Sequence, residues 1–263
     1  MDKNNKIPKH IGILCAMPEE VGSTLENIKN IETKSYGDLK IYSGDWCFSN
    51  SYSKSFNIHL SIAWSGWGKV SAARAATRLI SHEFNKVNVD AIFFTGVAGA
   101  INSKLKQWDI IIPYELIQHD MDARPLFKKY EIPALNTVRI KSNKSINEWT
   151  LSTLKNSIKD GSLKNFGNIY EGLIATGDKF ISNKKDIENI SKEMEDLSAV
   201  EMEGASVAQV ARQEEIPFQI IRVISDEANE NSAEDFSKFI TKYNNHSAKL
   251  ISALIENIET LPI

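Results

Sequence analysis

The chain has 263 residues, 42% of them hydrophobic and 25% charged, with a formal net charge of −3. That length favours one large α/β domain, spanning 1–263, over two small ones. The balance of charge offers no general attraction for nucleic acid or anionic membranes, and the two cysteines and five scattered histidines lack metal-ligand spacing, so neither a metal nor a cofactor is expected.

Residues 1–10, MDKNNKIPKH, lack the apolar stretch of a secretory signal and read as a loose extension. No segment approaches the roughly 18 apolar residues of a membrane span. The expected location is the cytoplasm.

Residues 11–17 form a buried strand carrying Cys15 as a buried thiol. Pro18 then suits the first position of a helix, with Glu19 and Glu20 in its first turn. Residues 40–64 read as two or three strands, of which His59–Trp64 is the clearest. Ser65–Lys69 is a turn, and 71–84 an Ala-rich helix. Asp90–Thr95 is a buried strand, closed by the Gly-rich turn Gly96-Val97-Ala98-Gly99. Another strand covers 109–117, where Pro113 suggests an edge or a bend. Residues 118–138 are irregular, and so long a loop in a compact domain is usually functional. A helix at 145–158, a strand at 169–175, a turn at 177–181 and a polar helix at 184–196 follow.

The stretch Ala199-Val-Glu-Met-Glu-Gly-Ala-Ser-Val-Ala208 places Glu201 and Glu203 on either side of Met202. Val207, Val210 and Ala211 have helical spacing. Gly204 inside that pattern costs about 1 kcal/mol against Ala, a cost accepted where something approaches the backbone closely. Taken alone, the two Glu residues need only favour the positive end of a helix. Residues 217–226 are a buried strand ending in Asp226, and 234–258 a long amphipathic helix. Strands alternate with helices, giving an α/β class around a central sheet. Ligands of such sheets bind beyond the carboxyl ends of the strands. Glu20, Glu203 and Asp226 can therefore converge at one rim.

Seven segments in order carry a resemblance: 11–20 (IGILCAMPEE), 65–70 (SGWGKV), 95–99 (TGVAG), 118–122 (QHDMD), 172–181 (GLIATGDKFI), 199–205 (AVEMEGA) and 221–226 (IRVISD). Together they resemble the 5′-methylthioadenosine/S-adenosylhomocysteine nucleosidases of the nucleoside phosphorylase/hydrolase superfamily. The resemblance implies a three-layer α/β/α fold with a central mixed, twisted sheet, and hydrolysis of an N-glycosidic bond to adenine by a homodimer, whose partner loop at 118–127 closes the pocket. It makes Glu20 the base that activates water and Asp226 the acid serving N7 of adenine. Glu203 accepts hydrogen bonds from the ribose hydroxyls, and Met202 packs on the sugar. Phe180 stacks on adenine, and the Ile181 backbone reads its edge. Arg222 and Ser225 support Asp226, Met17 and Phe236 wall the pocket, and Val97 and Ala98 border the substrate.

Such chemistry needs a protonated leaving base, an oxocarbenium-like sugar and an activated water. Two carboxyl groups can supply both proton transfers, each worth roughly 10²–10⁴ in rate. A phosphorylase would need a cationic cradle, whereas Met17-Pro-Glu-Glu20 offers carboxylates. Arg74 and Arg78 are expected at the surface. The alternatives are a phosphorylase, or a nucleosidase for another purine nucleoside such as a futalosine-like one. Two departures from the family concern Val97, where some members have Ser, and Trp67, where a smaller aliphatic residue is usual. Trp67 is expected to border the 5′-substituent.

Overall fold

The computed structural model describes residues 7–48, 58–229 and 231–263. In chain order these form β1 (His10–Cys15), β2 (Ile28–Tyr36), β3 (Leu39–Trp46), β4 (His59–Trp64), α1 (Lys69–Ile80), β5 (Glu83–Phe84), β6 (Val87–Asn88), β7 (Ala91–Ala100), β8 (Ile110–Gln118), β9 (Arg139–Lys141), α2 (Lys144–Lys159), β10 (Ile169–Thr176), α3 (Lys184–Glu193), β11 (Leu197–Glu201), α4 (Gly204–Gln213), β12 (Phe218–Asp226), α5 (Ser232–Tyr243) and α6 (Ser247–Ile255).

Ten of these strands make one mixed sheet, ordered β11-β10-β8-β12-β7-β1-β4-β3-β2 with β9 alongside β8. The sheet also curls on itself. β11 returns to pair antiparallel with β7, setting Ala199 against Ala100 and Val200 against Gly99. Strands β7, β12, β8, β10 and β11 thus close into a ring, and β2 is left as the outer strand.

The alternation of each central strand distributes its side chains between two cores. Ile11, Ile13, Phe93, Ile221 and Val223 face α2, α5 and α6, meeting Trp149, Phe239 and Leu254. Leu14, Ile92, Phe94, Ile220 and Ile224 face α1 and α4, meeting Ala75, Leu79, Val207 and Ala211. With both faces covered, β1 and β12 are buried throughout, which is why they read as nearly continuous apolar runs. The small residues of α1 and α4 let these two helices lie against each other and close on the sheet.

Several elements differ from their sequence-based expectations. Residues 1–6 lie outside the described residues, but His10, placed in a loose extension, is fully buried in β1. β2 was not foreseen, because its residues are mostly exposed and polar. Residues 49–57, within the expected 40–64 strand region, lie outside the described residues. Gly96–Gly99 continues β7 instead of turning. Pro113 sits inside the sheet, opposite Gly172 at a register shift, so the bend is present and the edge is not. Residues 199–201 belong to β11, and Gly204 opens α4 instead of interrupting it. The closing helix is two helices. The break after Tyr243 lets the Ser247 hydroxyl reach the Glu19 carbonyl at 3.0 Å, beside Gly22, whose φ of +54° permits that approach.

Candidate active site

A cleft of about 570 Å³ opens at the carboxyl ends of β1, β7, β11 and β12. Glu20, Glu203, Asp226, Met17, Trp67, Val97, Ala98, Phe180, Ile181, Met202, Ser225 and Phe236 all line it. Arg222 does not.

Glu20 is placed by a short local device. β1 ends at Cys15, and Pro18 starts a single 3-10 turn that points Glu20 back over the strand end. Its Oε2 accepts hydrogen bonds from the backbone N–H groups of Ala16 at 2.7 Å and Met17 at 3.0 Å, and its Oε1 from Val97 at 3.0 Å. The carboxyl group is only 2% exposed. Burial pushes its pKa above the usual value, against the opposing pull of Arg222 and the three backbone donors. A carboxylate so held is a stronger base than one in water, and its position is fixed before any substrate arrives.

Behind this wall lies an ion pair. Arg222, in the middle of β12, is 1% exposed and donates from Nη2 and Nε to Glu201 Oε2 at 2.6 and 3.2 Å. Its guanidinium lies 3.9 Å from the centre of the Phe94 ring. The expectation that Arg222 supports Asp226 is therefore corrected. Four residues of extended chain separate the two positions by about 13 Å, and the side chain turns to a carboxylate on β11, which flanks β7 on the side away from β12. Glu201 is held further by the Thr176 hydroxyl and by the backbone N–H groups of Glu203 and Gly204, at 3.0 and 2.7 Å. It thus also satisfies the first N–H groups of α4, where a negative charge is favoured.

Glu203 stands beside this pair and is buried at 6% exposure. Its Oε1 accepts a 2.8 Å hydrogen bond from Gly68, just ahead of α1. Burial first, and then the charge of Glu201, push its pKa up to about 8. Glu203 therefore holds a proton more readily than an exposed carboxyl group does, even against the opposing pull of Arg222.

Asp226 closes β12. The Ser225 hydroxyl donates to its Oδ2 at 2.7 Å, and the Ala228 N–H to its Oδ1 at 2.8 Å, so the support expected of Ser225 is present. A Cβ on Gly99 would lie 3.1 Å from Oδ1. Glycine there lets β7 pass close beneath the carboxyl group.

One side of the cleft mouth is aromatic. Trp67 meets Phe236 edge to face at 5.9 Å, and Phe236 meets Phe180 in the same way at 6.0 Å. Trp67 is 51% exposed and lies at the mouth, outside the core. Ala16, Gly99, Lys179 and Val200 also line the cleft and were not foreseen, nor was the part played by Glu201. Each lies inside one of the segments that carried the resemblance, which was the signal available for them.

The chain matches the model of the phosphorylase superfamily over residues 10–256. It is 32% identical to a 5′-methylthioadenosine/S-adenosylhomocysteine nucleosidase of Shewanella sediminis, over 94% of this chain and 99% of the relative. Among solved structures, the corresponding nucleosidase of Neisseria meningitidis, in complex with methylthio-immucillin-A, superposes with a TM-score of 0.80 at 29% identity, covering 94% of this chain and 99% of that one. A futalosine hydrolase of Helicobacter pylori gives 0.78 at 30% identity, over 94% and 97%. Near-full-length matches of this kind, on a chain whose strand ends gather three buried carboxyl groups, lead to one conclusion: the chain belongs to the phosphorylase superfamily and, within it, to the 5′-methylthioadenosine/S-adenosylhomocysteine nucleosidases, which are N-glycosyl hydrolases.

Proposed function

We propose that this protein hydrolyses the N-glycosidic bond of 5′-methylthioadenosine and S-adenosylhomocysteine, and also of 5′-deoxyadenosine, releasing adenine. The observation that carries this reading is the buried Glu20 carboxyl group, fixed by three backbone donors in the cleft floor. A negative group there repels phosphate and suits the activation of water. Among the described residues lining the cleft, Lys179 alone carries a positive charge, and Asp186 engages it at 2.7 Å. Arg74 is occupied by Asp38, and Arg78 lies over the Tyr36 ring.

In this mechanism Glu20 takes a proton from the attacking water, while Asp226 gives one to adenine N7 so that the base leaves neutral. Glu203 accepts from the ribose 2′- and 3′-hydroxyls in its ionised form, so substrate binding must release the proton that the raised pKa of the free cleft favours, and Met202 packs on the sugar. Phe180 stacks on adenine, whose edge meets the Ile181 backbone. Met17, Trp67 and Phe236 bound the 5′-group, with Val97 and Ala98 beneath the ribose. Arg222 acts from behind, neutralising Glu201. The chain works as one unit, as a cytoplasmic homodimer in which the 118–127 segment of each copy closes the other's cleft. Leu126, 84% exposed, and Phe127, 40% exposed, offer the apolar surface for that contact.

A futalosine-like substrate is the second reading, favoured by the similarity to the hydrolase of that name. Both readings are tested by incubating the protein with the three adenine nucleosides and futalosine, with and without millimolar phosphate. The expected products are adenine and a free sugar at a rate phosphate does not change. A sugar 1-phosphate as the main product would overturn hydrolysis, and cleavage of futalosine alone would transfer the protein to the second reading.

A further inference from the structure

Three segments meet behind one corner of the cleft: the start of α1, the residues after β8 and the residues after β10. Lys69, Asp120 and Asp178, one from each, are linked in a closed cycle. The Lys69 backbone N–H donates to Asp178 Oδ1 at 2.7 Å. The Asp178 backbone N–H donates to Asp120 Oδ2 at 2.9 Å. The Lys69 ammonium closes the cycle on Asp120 Oδ1 at 2.6 Å. Asp120 thus accepts with both oxygens, from two different segments, and stands outside the residues that line the cleft.

Each end of the cycle adjoins a group assigned to the substrate. Gly68, one residue before Lys69, donates to Glu203 at 2.8 Å. Asp178 lies two residues before Phe180, which lines the cleft. The approach is tight, since a Cβ on Gly68 would lie 2.9 Å from Asp178 Oδ1, at a φ of +90° that glycine adopts freely. Lys69 and Asp120 are 19% and 32% exposed, so their attraction is only partly screened by water.

We infer that Asp120 is a positioning residue for the reaction, setting through Lys69 and Asp178 the spacing between the ribose carboxylate Glu203 and the aromatic wall at Phe180. The inference rests on the proposed assignment of those two groups. Opening the cycle leaves Glu203 and Phe180 in place chemically but frees them to move relative to each other. Both the base and the ribose contacts then loosen together.

The test compares Asp120→Ala, the near-isosteric Asp120→Asn, Lys69→Met, which keeps the backbone donor to Asp178, and the double variant Lys69→Met/Asp120→Ala. Three quantities are read: kcat and KM on whichever purine nucleoside the wild type cleaves, the affinity for free adenine, and the preference for that nucleoside over its 2′-deoxy analogue. Asp120→Ala and Lys69→Met should each lower kcat/KM roughly tenfold to hundredfold, the range of a misplaced contact. Each should also weaken adenine binding and reduce the 2′-deoxy discrimination. The double variant should be no worse than Asp120→Ala, since one cycle is broken once. Asp120→Asn should lie between wild type and Asp120→Ala. Variants that lose thermal stability but keep all three quantities would show a merely structural role and overturn the inference. Multiplicative losses in the double variant would overturn it as well. A wild type with no nucleosidase activity would overturn the substrate reading itself, while adenine affinity in the variants would still decide on Asp120.

Discussion

The Glu20 carboxyl group occupies the space a side chain on Gly96 would need: a Cβ there would lie 2.5 Å from Glu20 Oε1 and 2.9 Å from Arg222 Nη1. Position 96 is therefore a sensitive probe of the proposed base. Gly96→Ala should displace Glu20, lowering kcat by roughly the 10²–10⁴ that a positioned proton-transfer group supplies. Overpacking should also cost about 1–3 kcal/mol of stability. Glu20→Gln, which fits the same space, should lose comparable activity with little loss of fold. The check is kcat beside the urea midpoint for both variants. Near-normal turnover in Glu20→Gln would remove its assigned role.

Glu203 makes the protein's stability depend on pH in a definite direction. Its pKa rises from 4.5 to about 8 on folding, so between these values the folded state holds a proton that the unfolded chain releases. Its contribution is complete below pH 4.5 and is lost as the pH rises through 8, with a slope of up to about 1.4 kcal/mol per pH unit. Glu20, raised by burial, acts with the same sign. Glu203→Gln should flatten the decline between pH 5 and 8 without abolishing it. Urea unfolding across that range measures the difference, and parallel curves for the two proteins would show that Glu203 does not carry the proton.

Trp67 should govern the 5′-group. It is half-exposed and edge-on to Phe236 at the cleft mouth. An indole there leaves less room for a homocysteine tail than a branched aliphatic chain would. Each methylene buried in a pocket is worth roughly 1–3 kcal/mol of discrimination. Trp67→Ile should therefore raise kcat/KM for S-adenosylhomocysteine relative to methylthioadenosine, by a few fold or more. If the ratio of the two values is the same in mutant and wild type, Trp67 does not read the 5′-group.

What the sequence made legible was local. The runs at 11–15 and 218–226 announce buried strands because both of their faces are covered, and each is followed or closed by an acidic residue that lines the cleft. The partnership of Arg222 with Glu201 was not legible. It joins two strands that do not pair with each other and meet only because the sheet closes, and nothing within 221–226 says which carboxylate the arginine meets. Gly96 and Gly99 misled for a related reason. Glycines at a strand end suggest a turn, but these two sit in the strand to make room for Glu20 and Asp226, which arrive from elsewhere in the chain. The division of the last helix had only a short polar run, Asn244-Asn245-His246, as its local sign, between apolar stretches that both read as helix, while the contact made at the break lies at Glu19.

The return of β11 onto β7 also bears on how copies of this chain can meet. A flat sheet has two long borders at which a foreign strand can add its backbone. Here one border is consumed by the closure, and β9, at three residues, offers little. Among the described residues the remaining border of this sheet is β2, which is exposed along most of its length and carries Lys29, Glu32 and Lys34. Charges on an outer strand discourage pairing with another chain. Growth into fibres by strand addition is thus discouraged along the sheet, which favours association between copies through side-chain surfaces such as that around Leu126.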